Sequence, residues 1–313
     1  MQSKTMKSVM RKKIDAWAGT VTDPAVAKII KDNAIVTGGA IASMLMQEPV
    51  NDYDVYLRTG EAAFAVAKYY VDKFVADKKN NVPLFLCDKY GKPLTKFDGG
   101  RFRIMAKSSG VVTDDESEEK AEYQYFEQTD PDGEKSEEYV NSAVEAAQES
   151  GKSKNEFKAV WMSSNAITLS DKIQVVIRFF GEPDEIHKNY DFVHCTSYWQ
   201  SWDGFLFLNP AAMESILSKT LLYQGSLYPI CSVIRTRKFI GRGWRITAGQ
   251  YLKMCMQISN LNLNDIKVME DQLTGVDAAF FMELISCLKK DMHENQTKDI
   301  DQTYLMTLID KIF

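Results

Sequence analysis

The sequence predicts an α+β protein: a mixed sheet flanked by helices, interrupted by an acidic insertion and followed by a C-terminal helical domain. Three observations carry this. Short runs of strand formers alternate with helical periodicity from about residue 34 to 208. A polar, highly charged stretch breaks that alternation at about 112–155, and from residue 209 onward helical spacing prevails. The expected domains are N-terminal helices over 1–33, an α/β domain over 34–208 that contains the insertion, and a helical domain over 209–313.

The first helix is read from Met6, Met10, Ile14 and Trp17, which recur every three or four residues on one face. A second starts at Pro24, with Asp23 as a capping carboxylate and proline at the first helical position, and runs to Lys31. AIVTGG is a short strand that ends in a glycine turn, AIASMLMQ one or two helical turns, and DYDVYL an alternating strand. EAAFAVAKYYVDKF is a helix, and VPLFLCD and RFRIMAK are two strands separated by a segment rich in turn residues. Strand character resumes in FKAVWMSSNAITLS, DKIQVVIRFF, YDFVHCTSYW and GFLFL. From NPAAMESILSKTLLYQ through ITAGQYLKMCMQI, GVDAAFFMELISCLKK and TYLMTLIDKIF the pattern is helical.

With 313 residues, 45% of them hydrophobic, the chain can bury a sizeable core. No apolar run reaches the roughly 20 residues that cross a bilayer, and the basic N-terminus lacks an apolar secretory core. The five cysteines are dispersed, odd in number and contain no CxxC pair, so the expectation is buried thiols in a reducing, cytoplasmic setting with no membrane partner. The net charge of −5 is uneven: residues 114–149 hold 14 acids and 2 lysines, which leaves the remainder at about +7. A basic body suits a phosphate-bearing partner, and the acidic insertion suits a protein partner or mimics a nucleic acid.

Asp52 and Asp54 stand two residues apart in a strand-like run, where alternate side chains share a face. Two carboxylates held that close call for a cation between them, and a hard divalent ion such as Mg²⁺ or Mn²⁺ satisfies them. Gly38 and Gly39, just upstream, let the backbone approach a triphosphate, and the helix after them aims amide groups at it. The three histidines, His187, His194 and His293, are scattered without zinc spacing, and His194 reads as a packed side chain. Walker A, Gly-x-Ser-x-Gly and nicotinamide fingerprints are absent from the sequence.

The order Gly38-Gly39, short helix, Asp52-Tyr53-Asp54 resembles polymerase-β-type nucleotidyltransferases, in particular the catalytic head of CCA-adding enzymes and bacterial poly(A) polymerases. YDFVHCTSYW, with Asp191 at its acid, is similar to that family's RDFTINAL segment. GFLFLNPAAMESILSKTLLYQG is similar to the helix that follows, and RTRKFIGRGWRI to the Arg-rich helix, with Arg235, Lys238, Phe239, Arg242 and Trp244 in matching roles. The resemblance implies a nucleotidyltransferase-type sheet, a nucleoside triphosphate substrate, Mg²⁺ or Mn²⁺ on Asp52 and Asp54, and transfer of a nucleoside monophosphate to an RNA 3′ end or another hydroxyl. It further implies phosphate contacts from Gly38, Gly39, Arg178, Arg235, Lys238 and Arg242. Three departures stand out. Ala42-Ser43 replaces the family's Arg-Asp after the diglycine, Gln174 occupies the third metal-site position with Asp191 as the alternative acid, and the base-reading Glu-Asp-x-x-Arg pattern is missing from GSLYPICSVIR. These departures leave two further readings: a catalytically weakened fold that serves as a structural or partner-binding protein, and a toxin-like enzyme that modifies tRNA or protein.

Overall fold

The computed structural model describes residues 1–76, 83–106, 157–265 and 300–312, together with 268–269, 272, 287–290 and 292–294. The acidic insertion read at 112–155 and most of GVDAAFFMELISCLKK lie outside the described residues. Contacts divide the chain into two units. The first takes in the described residues up to 106, with 157–187 and 197–208, and the second takes in 188–196 and the described residues from 209 on.

The first unit is built on a seven-stranded mixed sheet. Helix α1 (Ser3–Thr20) buries Met6, Met10, Ile14 and Trp17, the stripe that its sequence spacing predicts. Trp17 Nε1 donates to the Tyr70 hydroxyl at 2.7 Å, so the one polar atom of that indole is satisfied inside the core. Helix α2 (Pro24–Asn33) is capped by Asp23, whose carboxylate accepts from the Ala25 and Val26 amides. Strand β1 (Ala34–Thr37) leads through Gly38 into α3 (Gly39–Met46), and β2 (Tyr53–Leu57) returns antiparallel to β1. Helices α1 and α2 share one hydrophobic core with these strands and with α4 (Gly60–Ala76).

The strands β3 (Leu84–Asp88) and β4 (Phe102–Ala106) form a separate antiparallel pair. An aromatic cluster packs it against its surroundings, with Phe64 and Phe102 edge to face at 5.2 Å and Phe97 and Phe180 at 5.7 Å. The main sheet continues with β5 (Ala159–Met162), β6 (Ala166–Leu169) and β7 (Ile173–Val176). Beyond the short helix α5 (Pro183–His187) come β8 (Tyr198–Gln200) and β9 (Leu206–Phe207). The order across the sheet is β5-β6-β7-β2-β1-β8-β9, and β2–β7 is its one parallel pairing. YDFVHCTSYW is thus strand only in its last part, because Val193–Cys195 forms a 3₁₀ turn before β8 begins.

The second unit carries α6 (Pro210–Ser218), α7 (Pro229–Gly241), α8 (Ala248–Ile258) and α9 (Gln302–Ile312). The purely helical expectation for this part needs one correction. Strands β10 (Thr220–Leu221) and β11 (Arg245–Ile246) form a small parallel pair. The residues that close α6 and α7, Lys219 in the left-handed region and Gly243 at φ 79°, turn the chain out of each helix and into that pair. His194 lies in this unit, buried against Phe239 at 4.7 Å and Trp244 at 4.4 Å between ring centroids, which agrees with its reading as a packed side chain.

Candidate active site at the diglycine turn

Residues that face each other across a sheet share a face, so the register fixes which side chains line the site. Thr37 on β1 opposes Asp54 on β2, and Asp54 opposes Gln174 on β7. Thr168 of β6 lies beyond Gln174, and Tyr198 of β8 continues the row past Thr37, since Val36 pairs with Trp199. The row reads Thr168, Gln174, Asp54, Thr37, Tyr198, and the residues one step along, Val36, Val55, Val175 and Trp199, are buried on the opposite face. One face of the sheet is thus packed on the core, while Asp54 and Gln174 on the other are half exposed.

Gly38 meets this row at Asp54. Its φ is 78° and its ψ −149°, a conformation open to glycine alone, and a Cβ built on it would lie 2.6 Å from Asp54 Oδ2. The turn therefore brings bare backbone against the carboxylate. Gly39, the first residue of α3, differs: a Cβ placed there meets nothing within 4 Å. Gly39 is therefore uncrowded where it begins α3, next to the glycine that meets the carboxylate, and helix N-termini are a setting in which anions are held.

Asp52 does not share the strand with Asp54. The β1–β2 ladder ends at the Thr37–Asp54 pair because Gly38 turns away, and β2 starts at Tyr53, leaving Asp52 exposed in the preceding loop. Asp54 therefore lies within the strand, while Asp52 stands immediately before its first residue. Gln174 is the lateral neighbour of Asp54 at a strand spacing of about 4.8 Å. Arg178 is buried in the bend that follows β7, its guanidinium over the Phe179 ring at 5.4 Å. The remaining candidates belong to the second unit. Asp191 is buried in an ion pair with Arg235, while Lys238 and Arg242 are exposed at the end of α7. Among the described residues, no group of three or more His, Cys, Asp or Glu side chains is placed to hold a metal ion.

One participant escaped the sequence reading. The Thr37 hydroxyl donates to the Ser197 carbonyl at 2.8 Å and lies 2.9 Å from His187 Nε2. With its own proton committed to that carbonyl, the hydroxyl accepts from the ring, which makes Nε2 the protonated nitrogen. His187 thereby ties α5 and the start of β8 to the strand that ends in Gly38. The 150 positions between Thr37 and His187 hid the pair, since only the folded chain brings them together.

Burial lowers both His187 and His194 to about 4 from the usual 6.5, with the nearby Asp184 charge opposing the shift at His187. Both are neutral in the folded chain at neutral pH. A histidine whose folded pKa is depressed contributes its full stability above the unfolded value and loses it as pH falls from 6.5 towards 4. Denaturant unfolding should therefore show stability constant above pH 7 and falling between pH 6.5 and 4, with a gentler fall in His194→Gln than in wild type.

These features define an α+β protein whose mixed sheet presents a diglycine turn against a strand aspartate, with a helix N-terminus beside it. The chain belongs to the Gabija anti-defense 2 family, whose model matches residues 8–219. No curated protein matches the sequence. Among solved structures it is similar to a CCA-adding enzyme of Thermotoga maritima complexed with tRNA, at 10% identity and a TM-score of 0.38, covering 88% of this chain and 52% of that one. A tRNA-processing enzyme with CTP matches at 13% identity and 0.36, covering 85% and 55%. A tRNA nucleotidyltransferase complexed with a primer tRNA and an incoming ATP analogue matches at 12% and 0.35, covering 86% and 60%. The chain spans between about half and three fifths of the length of these structures. Among the described residues no helix is long and apolar enough to cross a membrane.

Proposed function

We infer that this protein is a Mg²⁺- or Mn²⁺-dependent nucleotidyltransferase that moves a nucleoside monophosphate from a nucleoside triphosphate to a hydroxyl acceptor, and that it thereby acts against the Gabija defence named in its family's description. The observation that carries the reading is the contact of Gly38 backbone with Asp54, beside the N-terminus of α3. Gly38 and Gly39 would seat the phosphates, with the α3 amides supplying hydrogen bonds. Asp54, with Asp52 from the adjoining loop, would hold the metal, and the Gln174 amide oxygen could complete its protein ligands. Two carboxylates with water and substrate phosphates suffice for one Mg²⁺, so the residues present fit a single ion. When bound, that ion neutralises triphosphate charge and lowers the pKa of the attacking hydroxyl. The acceptor hydroxyl gives up its proton to solvent as its oxygen bonds to the α-phosphorus, the bond from that phosphorus to the oxygen bridging the β-phosphate breaks, and pyrophosphate leaves. The acceptor is an RNA 3′ end or a hydroxyl on another molecule, a toxin-like modification of tRNA or protein among them.

Gln174 favours a second reading, because it brings no charge to the place beside Asp54 where a third carboxylate would serve a second ion. On that reading the fold is a catalytically weakened nucleotidyltransferase that works by binding a partner. Incubation with Mg²⁺, each α-labelled nucleoside triphosphate, and either total RNA or purified Gabija proteins separates the two. Label transferred to an acceptor supports the enzyme; no transfer and no metal-dependent nucleotide binding overturns it.

The two glycines give a finer test. Gly39→Ala has room for its methyl group and should unfold at the wild-type temperature. If phosphates sit at the α3 N-terminus, that methyl group intrudes on them, and nucleotide affinity measured by calorimetry should fall about tenfold or more, a loss of roughly 1.4 kcal/mol.

A further inference from the structure

The row that holds Asp54 runs on to an aromatic ledge at the sheet edge. Tyr198 of β8 pairs with Phe207 of β9, and their rings stand 5.3 Å apart. Phe205, in the turn between the two strands, lies 6.3 Å from the Tyr198 ring. Phe205 is 48% exposed and Phe207 37%, among the large hydrophobic side chains that the protein leaves in solvent. A cluster of aromatic rings held on a rigid hairpin is the composition of an interface hot spot, not of a solvated surface.

Charge around the ledge selects among occupants. Burial first, and then the nearby charges of Asp184, Asp203 and Glu182, push the Tyr198 phenol above its ordinary pKa. Glu182 is paired with Arg58, which also lies over the Trp202 ring at 4.8 Å, and Arg11 donates to the Ser201 carbonyl at the base of the turn, while Asp184 and Asp203 are exposed beside the rings. A nucleic acid stacked on these rings would bring its phosphates against those carboxylates, whereas a protein surface edged with lysine or arginine would complement them. The family's description names a defence system as the target.

We propose that the Tyr198–Phe205–Phe207 ledge is a docking surface for a protein of the Gabija defence, a partner that places aliphatic side chains on the rings and basic residues beside Asp184 and Asp203. Tyr198 is two strands from Asp54, about 10 Å at the usual strand spacing, so a docked protein lies next to the diglycine turn. The proposal stands on the surface and the family and does not require nucleotidyl transfer.

The test is binding of the intact chain to purified Gabija proteins by biolayer interferometry, at low and at high salt. Wild type and Asp54→Asn should bind alike. The double variant Phe205→Ser/Phe207→Ser should lose at least about tenfold in affinity, as removal of hot-spot rings does. Asp203→Lys should associate more slowly, most clearly at low salt. Should the double variant fail to fold by circular dichroism, Asp203→Lys decides. Absence of binding by wild type overturns the proposal, as does equal binding by every variant. A single-stranded oligonucleotide that binds wild type and is lost with the two rings would assign the ledge to nucleic acid and overturn it as well. The labelling assay run on the same proteins separates failure of the ledge from failure of the transferase, since ledge variants should keep transfer to RNA.

Discussion

Asp54→Asn should abolish nucleotidyl transfer while leaving the fold intact. Asp54 is the one acid in the row, between Thr37 and Gln174, and its Oδ2 lies against the diglycine backbone. An amide keeps the shape and removes the charge, so a metal held at Asp54 would lose its principal anionic ligand. A bound metal supplies several kcal/mol of charge stabilisation in phosphoryl transfer, and each 1.36 kcal/mol is a factor of ten in rate, so the expected loss is about a thousandfold. The measurement is transfer of α-labelled nucleotide with Mg²⁺, alongside a thermal melt. A variant that still labels its acceptor at the wild-type rate removes Asp54 from the chemistry. Asp52→Asn is the companion, and its effect should be smaller because Asp52 lies in the loop before β2.

Gly38→Ala should have the largest effect on stability of any change at the site. Two penalties combine there. An L residue at φ 78° and ψ −149° carries backbone strain of about 1–3 kcal/mol, and the added methyl group would sit 2.6 Å from Asp54 Oδ2, far inside contact distance. Relief requires the carboxylate or the turn to move, and either motion disrupts the proposed phosphate seat. Denaturant unfolding should therefore show a lower midpoint, and the labelling assay a loss comparable with that of Asp54→Asn. Gly39→Ala separates the two causes, since it adds a methyl group without strain or clash. If Gly38→Ala melts with wild type, the close approach at the turn is not a constraint on the fold.

Much of the architecture could be read from residue order. The stripe Met6, Met10, Ile14, Trp17 and the Asp23-Pro24 start locate α1 and α2 because helix periodicity and capping are local properties. The diglycine turn, the short α3 and the strand at Asp54 follow from equally local signals. What escaped depends on contacts between distant positions. The exclusion of Asp52 from β2 is decided by where β1 ends, and the partnership of His187 with Thr37 by the pairing of β1 with β8. The parallel pair β10–β11 likewise joins Thr220 to Arg245 across 25 residues, and no alternation marks two-residue strands.

The neighbourhood of Asp54 and Gln174 has a consequence for biosynthesis. The two residues face each other across the parallel β2–β7 pair although 119 positions separate them along the chain. Closing a loop of that size carries a large entropic cost and is slow compared with helix or hairpin formation. A polypeptide emerging from the ribosome can fold α1 through β2 and still lack the floor on which a substrate would rest. Completion of the row therefore waits for β7 and, through Thr37, for the segment near Ser197.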